Sequence, residues 1–246
     1  GVALLPNYET PAARFRGTAF GIENANAFFA SLDTEAPEVL TYLGPEVANG
    51  GFSNAGTFGP DPNFAYALVN NNEFGYYEID SGAYTSLGSI APEAAGGQTW
   101  SGMTYDITTG NYYGVTTDIT ASNLYEIDVD AGTSSLIGAT GMPGLIDIAA
   151  DETGTLYAYD LVTDESCILD KDTGAATVLG SLGYNANYGQ GMFYDFEMSI
   201  MYLTAFNSDT FQPELRIMDL NTGATTLVGV IGVNDPGGLC QMGWAS

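Results

Sequence analysis

The chain has 246 residues, with 30 Asp and Glu against 4 Lys and Arg and no His, giving a formal net charge of −26. Its four scattered cations, Arg14, Arg16, Lys171 and Arg216, give no electrostatic grip on a phosphate backbone or an anionic lipid surface, which excludes ordinary nucleic-acid binding. Without histidine, His-based acid/base catalysis, Ser-His-Asp triads and His-ligated zinc are closed as well.

Apolar residues make up 45% and charged residues 14%, so polarity comes mainly from Asn, Thr, Ser and Tyr, and the chain reads as folded rather than as an acidic tail. Glycine, at 32 residues, is close to double the usual ~7%, and strong helix formers are sparse between turns, which points to an all-β fold. The longest apolar stretches, such as 228–233, are far below the ~18 residues of a membrane helix, so no membrane insertion is expected. Neither an initiator Met nor a basic leader opens the sequence, and Gly1 reads as the start of a processed or excised part of a larger protein.

In chain order, the first expected strand carries Ala19-Phe20-Gly21-Ile22, the next ends on Leu32-Asp33, and a third closes on Tyr42-Leu43-Gly44. From there the pattern gains a strand and repeats. Strands ending at Phe58, Asp106, Asp151 and Asp195 are each followed by one with a central aromatic, at Tyr66, Tyr113, Tyr157 and Tyr202. Then come the aliphatic-Asp pairs Ile79-Asp80, Ile127-Asp128, Leu169-Asp170 and Met218-Asp219, and closing strands that end on Gly88, Gly138, Gly180 and Gly229. Turns such as Asp106-Ile107-Thr108-Thr109-Gly110 have the Asp, Thr and Gly chemistry of tight hairpins. The paired Asp residues at 33, 80, 128, 170 and 219 recur 42 to 49 residues apart, the length of a four-stranded propeller blade.

The first unit lacks its opening strand, and a spare one, Gly238 to Trp244, follows the last unit. The expectation is a five-bladed β-propeller of four-stranded blades, closed by the C-terminal strand in the N-terminal blade. Its blades are 14–44 plus 238–245, 52–88, 100–138, 144–180 and 189–229, in a single domain. A six-bladed ring would need Val2 to Leu5 to start another sheet. Cys167 and Cys240 fall in different blades and read as two buried thiols, a disulfide being the alternative.

The units resemble propeller repeats of secreted bacterial proteins, in which Leu-Tyr-x-Ile-Asp is followed by x-x-Thr-Gly and a strand ending in Ile-Gly. Leu124 to Asp128 with Gly132 and Ile137-Gly138 carries the resemblance, as does Leu215 to Asp219 with Thr222-Gly223 and Val228-Gly229. In size and blade number the chain is also similar to the tachylectin-type five-bladed lectins, without their repeat signature. The resemblance implies architecture, not a task.

Asp128-x-Asp130-x-Gly132 and Asp170-x-Asp172-x-Gly174 invite a calcium reading. A recurrent turn, with Asp capping backbone N–H groups and Gly at positive φ, accounts for them better, since the glycine falls one place early for an EF-hand and the twelfth-position Glu is missing. Asp147 is different, because it stands where the other blades place Ala55, Gly102 and Gly191. An acid near the axis is either solvated or bonded to backbone at a channel mouth, or it binds Ca²⁺ or another ligand. The loops leading into each first strand gather on one rim and carry Asn54, Gln98, Trp100, Asn187, Tyr188, Gln190 and Asp235. Aromatic faces beside amides can stack on sugar rings or grip a peptide, with Trp100 and Tyr188 as the anchors. Phe211, in the loop 207–213, extends that surface.

The function expected on these grounds is a non-catalytic, secreted or cell-surface binding or adhesion module for a glycan or protein partner, working in salt that screens its self-repulsion. The alternatives are a carboxylate-dependent glycoside hydrolase or lyase, which needs two or three converging acids, and a Ca²⁺-stabilised structural spacer.

Overall fold

The computed structural model describes residues 17–23, 28–46, 52–93, 96–188 and 191–232, and among them there are strands and turns but no helix. The strands form five antiparallel sheets, four of four strands and one of three. The first sheet holds β1 (Thr18–Glu23), β2 (Phe28–Asp33) and β3 (Ala36–Glu46). The second holds β4 (Ser53–Phe58), β5 (Phe64–Val69), β6 (Glu73–Glu78) and β7 (Tyr84–Ser89). The third runs β8 (Thr99–Asp106), β9 (Asn111–Thr117), β10 (Ser122–Asp128) and β11 (Thr133–Ala139). The fourth runs β12 (Leu145–Ala150), β13 (Leu156–Asp160), β14 (Glu165–Leu169) and β15 (Ala176–Ser181). The fifth runs β16 (Gly191–Asp195), β17 (Ile200–Asn207), β18 (Gln212–Met218) and β19 (Thr225–Val230). Each sheet is a plain meander, because every connection is too short for a crossover.

Five apolar clusters lie between the sheets and take them in cyclic order. Phe20 and Phe29 meet Phe58 and Tyr77 between the first and second sheets. Leu68 and Phe74 meet Trp100 and Tyr105 between the second and third, and Tyr113 and Leu124 meet Ile148 and Leu156 between the third and fourth. Tyr157 and Tyr159 meet Tyr184 and Met192 between the fourth and fifth, and Phe193 and Leu215 meet Ala19 and Leu32 between the fifth and the first. The last cluster closes the ring. The chain is a five-bladed β-propeller. The recurrent central aromatic of the second strand faces the following blade each time, as Phe20 does edge-on to Phe58 at 5.9 Å. The spare strand 238–245, with Trp244 and Cys240, and residues 14–16 lie outside the described residues.

Burial falls from the axis outward. β16 is buried along its whole length, whereas β7 and β19 have no fully buried residue. Inner strands crowd at the axis and are covered on both faces. In four of the five blades the glycine that ends the outer strand has its own cause. A Cβ on Gly138 would stand 2.1 Å from the Thr173 carbonyl oxygen, and one on Gly180 would stand 2.4 Å from that of Thr222. Backbone there lies directly on the next blade's turn, so a side chain has no room. The same joint links Gly44 to the turn at Gly82, and Gly229 to Pro37 across the closure, where the Gly232 N–H also donates to the Pro37 carbonyl at 3.0 Å. Blade two meets blade three differently: Leu136 N–H donates to a Glu93 carboxylate oxygen at 3.0 Å, and Glu93 N–H donates to Ser134 Oγ at 2.9 Å.

Candidate functional site

The ring has two unlike rims. On one, Asp residues at the strand ends fold back on their own turns. Asp170 Oδ1 accepts from the N–H groups of Asp172 and Thr173 at 3.0 and 2.8 Å, and Asp219 Oδ1 accepts from Asn221 and Thr222 at 2.8 and 2.9 Å. Hydrogen bonds from Thr173 hold the Asp170 carboxyl below the usual carboxylate range. Gly174 follows at φ 80°, completing the turn expected from the sequence. Asp106 also reaches the next blade, where its Oδ2 pairs with Lys171 Nζ at 2.6 Å. Burial raises the Asp106 carboxyl, but Lys171 and Thr108 outweigh it and hold the group below its ordinary value.

The other rim gathers the starts of the inner strands and the tips of the second-to-third-strand hairpins around a cavity of about 600 Å³. A recurrent bulge shapes its floor. The register shifts between Ser53 and Ala55, between Trp100 and Gly102, and between Leu145 and Asp147. One residue is thereby inserted at the same place in three blades, and the inserted residues, Asn54, Ser101 and Ile146, all line the cavity. A bulge re-aims a side chain that a regular strand would bury.

Large apolar side chains stand in solvent around this mouth. Ile119, Val162 and Phe211, at the hairpin tips of blades three, four and five, are 56%, 47% and 60% exposed. Ile119 and Phe211 hold φ of 69° and 57°, where a β-branched or bulky residue costs about 1–3 kcal/mol. Blade two solves the same tip with Asn70 and Asn71, residues that tolerate this conformation. Tyr188 and Phe52 are also exposed and line the cavity, and the Tyr188 ring meets Phe206 edge-on at 4.9 Å.

The structure brings Asn54, Trp100, Asn187 and Tyr188 together at this cavity. Gln190 and Asp235 lie outside the described residues. Gln98 is engaged in stitching its own blade: its Oε1 accepts from Thr116 Oγ1 at 2.6 Å and Asn123 Nδ2 at 2.9 Å, while its Nε2 donates to the Ala121 carbonyl at 2.8 Å. Trp100 departs from the expected anchor, being 1% exposed, with the indole N–H donating to the Ile90 carbonyl at 2.8 Å and the ring edge-on to Tyr125 at 5.3 Å. Its ring is part of the core between two blades and has no open face for a sugar.

Asp147 is fully buried and spans the inner strands. Its Oδ1 accepts from the Ile148 N–H at 2.8 Å, and its Oδ2 from the Met192 N–H of the next blade at 2.7 Å. On the other side it presses on Gly102, where a Cβ would stand 2.5 Å from Oδ1. Burial pushes its carboxyl well above the ordinary range, against the pull of the Ile148, Met192 and Met103 amides. With both oxygens engaged by amide hydrogens, one of them from the next blade, the group acts as a staple between blades. Among the described residues no three Cys, Asp or Glu side chains gather to hold a metal ion. Cys167 is a buried thiol on β14, pushed up to about 12 by desolvation.

No family model and no curated protein sequence matches this chain. Solved structures do. A chain of a nidogen/laminin complex aligns over 85% of this chain and 76% of its own length, with a TM-score of 0.57 and 13% identity. TolB from Acinetobacter baumannii aligns over 88% of this chain and 53% of its own, with a TM-score of 0.55 and 12% identity. A protein of unknown function from Bacteroides thetaiotaomicron aligns over 72% of this chain and 43% of its own, with a TM-score of 0.52 and 16% identity. The likeness is one of fold. The chain spans about half the length of the last two, and one of the three was solved in a protein–protein complex.

Proposed function

We propose that this propeller is a non-catalytic binding module, working outside the cell or at its surface, whose cavity rim takes a macromolecular partner. The observation that carries the reading is the group of large apolar side chains held in solvent around one mouth, three of them, Ile119, Tyr188 and Phe211, at positive φ, opposite a rim of Asp-capped turns. Such a surface leaves much apolar area in water in the free protein and gains its value when covered. The net charge of −26 with four cations suits a medium in which salt shortens the Debye length to about 8 Å or less. The acid that lines the cavity among the described residues, Asp118, accepts from Thr120 and Ala121 in its own turn and is thereby held below its ordinary range. An acid so placed is a poor proton donor.

The test screens the protein against a glycan array and a displayed random-peptide library in high salt, with Ile119→Asn alongside. Binding that the variant loses supports the module. No binding in either screen, or binding indifferent to the variant, overturns it.

A further inference from the structure

We propose that the occupant of the cavity rim is a protein segment that inserts one large apolar side chain flanked by Lys or Arg, rather than a glycan. This rests on the binding-module reading and narrows its partner. The first ground is the wall: Ile119, Ile146 and Leu161 give the cavity an aliphatic lining alongside Phe52. Aliphatic walls accept a hydrocarbon side chain, and the exposed rings of Phe52 and Tyr188 at the same cavity can pack on it as well.

The second ground is the state of the amides. Asn54 Oδ1 accepts from the Asn71 N–H at 2.8 Å, and Asn187 Oδ1 accepts from the Tyr188 N–H at 2.8 Å. With Gln98 Oε1 also engaged, the side-chain carbonyls that would receive sugar hydroxyls already hold partners within the protein. A glycan would have to share these oxygens with the bonds they already accept, whereas an apolar anchor makes no demand on them.

Charge supplies the third. The hairpin tips around the mouth carry exposed Asp118 and Asp209. Neither described cation faces them: Lys171 pairs with Asp106 on the opposite rim, and Arg216 is buried against Glu214, with its guanidinium 4.6 Å from the Tyr184 ring centroid. A field of one sign selects a partner of the other and speeds its approach.

The experiment titrates the intact protein with acetyl-Lys-Arg-Phe-Arg-Lys-amide, with the same peptide carrying Ala for Phe, and with one carrying Glu for every cation, and follows methyl resonances by NMR. The Phe peptide is expected to shift the methyls of Ile119, Ile146 and Leu161. The Ala peptide should bind about ten-fold more weakly, as the loss of one central anchor implies, and the Glu peptide should not bind. Ile119→Asn should weaken the Phe peptide about five-fold with no fall in melting temperature, since Asn tolerates the φ that Ile strains. Equal affinity for the Phe and Ala peptides would mean diffuse attraction to a polyanion and overturn the proposal. So would shifts confined to Leu87 and Leu136 on the outer strands. A glycan that binds at the rim while all three peptides fail overturns it and leaves the binding module standing; failure of glycans and peptides alike removes both.

Discussion

The two rims are built from the same blades and obey different rules. On the acid-capped rim the chain repeats itself: Asp170 and Asp219 cap their turns through the same amides two and three residues on, and glycine follows each. On the cavity rim the tips diverge, with Asn-Asn in blade two, Ile119 in blade three, Val162 in blade four and Phe211 in blade five. Repetition there would serve closure equally well, since the five clusters and, at four interfaces, the glycine joints tie the blades together further down. What recurs holds the ring together, and what departs from recurrence is free to serve a partner.

The largest effect expected on the repetitive side comes from Gly138→Ala. Its Cβ would stand 2.1 Å from a backbone oxygen of the next blade, and thermal unfolding should show a loss of about 3 kcal/mol or more. Gly88→Ala is the matched contrast. Nothing lies within 4 Å of its Cβ, so only the φ of 133° resists, at about 1 kcal/mol. Equal losses at the two sites would deny the joint.

Next is Asp147→Ala, which leaves the Ile148 and Met192 amides without their acceptor in a dry interior and should cost about 2–4 kcal/mol in denaturant melts. Because burial raises its folded pKa, the Asp147 contribution is full below the unfolded value of about 3.9 and declines as pH rises through the raised folded value. Asp106 tilts the other way. Its folded pKa is depressed, so its contribution is present above about pH 4 and is lost as pH falls through the folded value. Lys171→Met should therefore cost about 1–2 kcal/mol near neutral pH, Lys171 being 29% exposed, and the gap to wild type should shrink in acid. A gap that widens in acid would contradict that assignment.

Much of this was legible in the residues. Strand order, the column of central aromatics and the Asp turns follow from period and turn chemistry, because backbone hydrogen bonding and hairpin geometry are local. The glycine ending each outer strand was visible as a column, but the contact that requires it in four of the five, with a neighbouring turn such as Thr173, needs the ring to be assembled. Trp100 was misplaced because it sits beside Gln98 and Thr99 in what reads as a loop. Its aligned neighbours Ser53 and Leu145 are, like it, buried at the residue before the bulge, and that column was the available signal. The bulges themselves leave little trace in sequence, so Ile146 as a cavity residue was not visible. Ile119 and Val162 were passed over because a lone aliphatic in a turn looks ordinary until its exposure is known.

The most direct test of the division between rims is a melting curve of Phe52→Ser, Ile119→Asn and Val162→Thr combined. If these side chains are spare to the fold, the midpoint stays within about 2 °C of wild type, since exposed substitutions away from packed features change stability by about 0.5 kcal/mol or less and Asn relieves strain at position 119. A fall of about 10 °C would show that they hold the ring together, and the cavity rim would lose its claim to be the binding face.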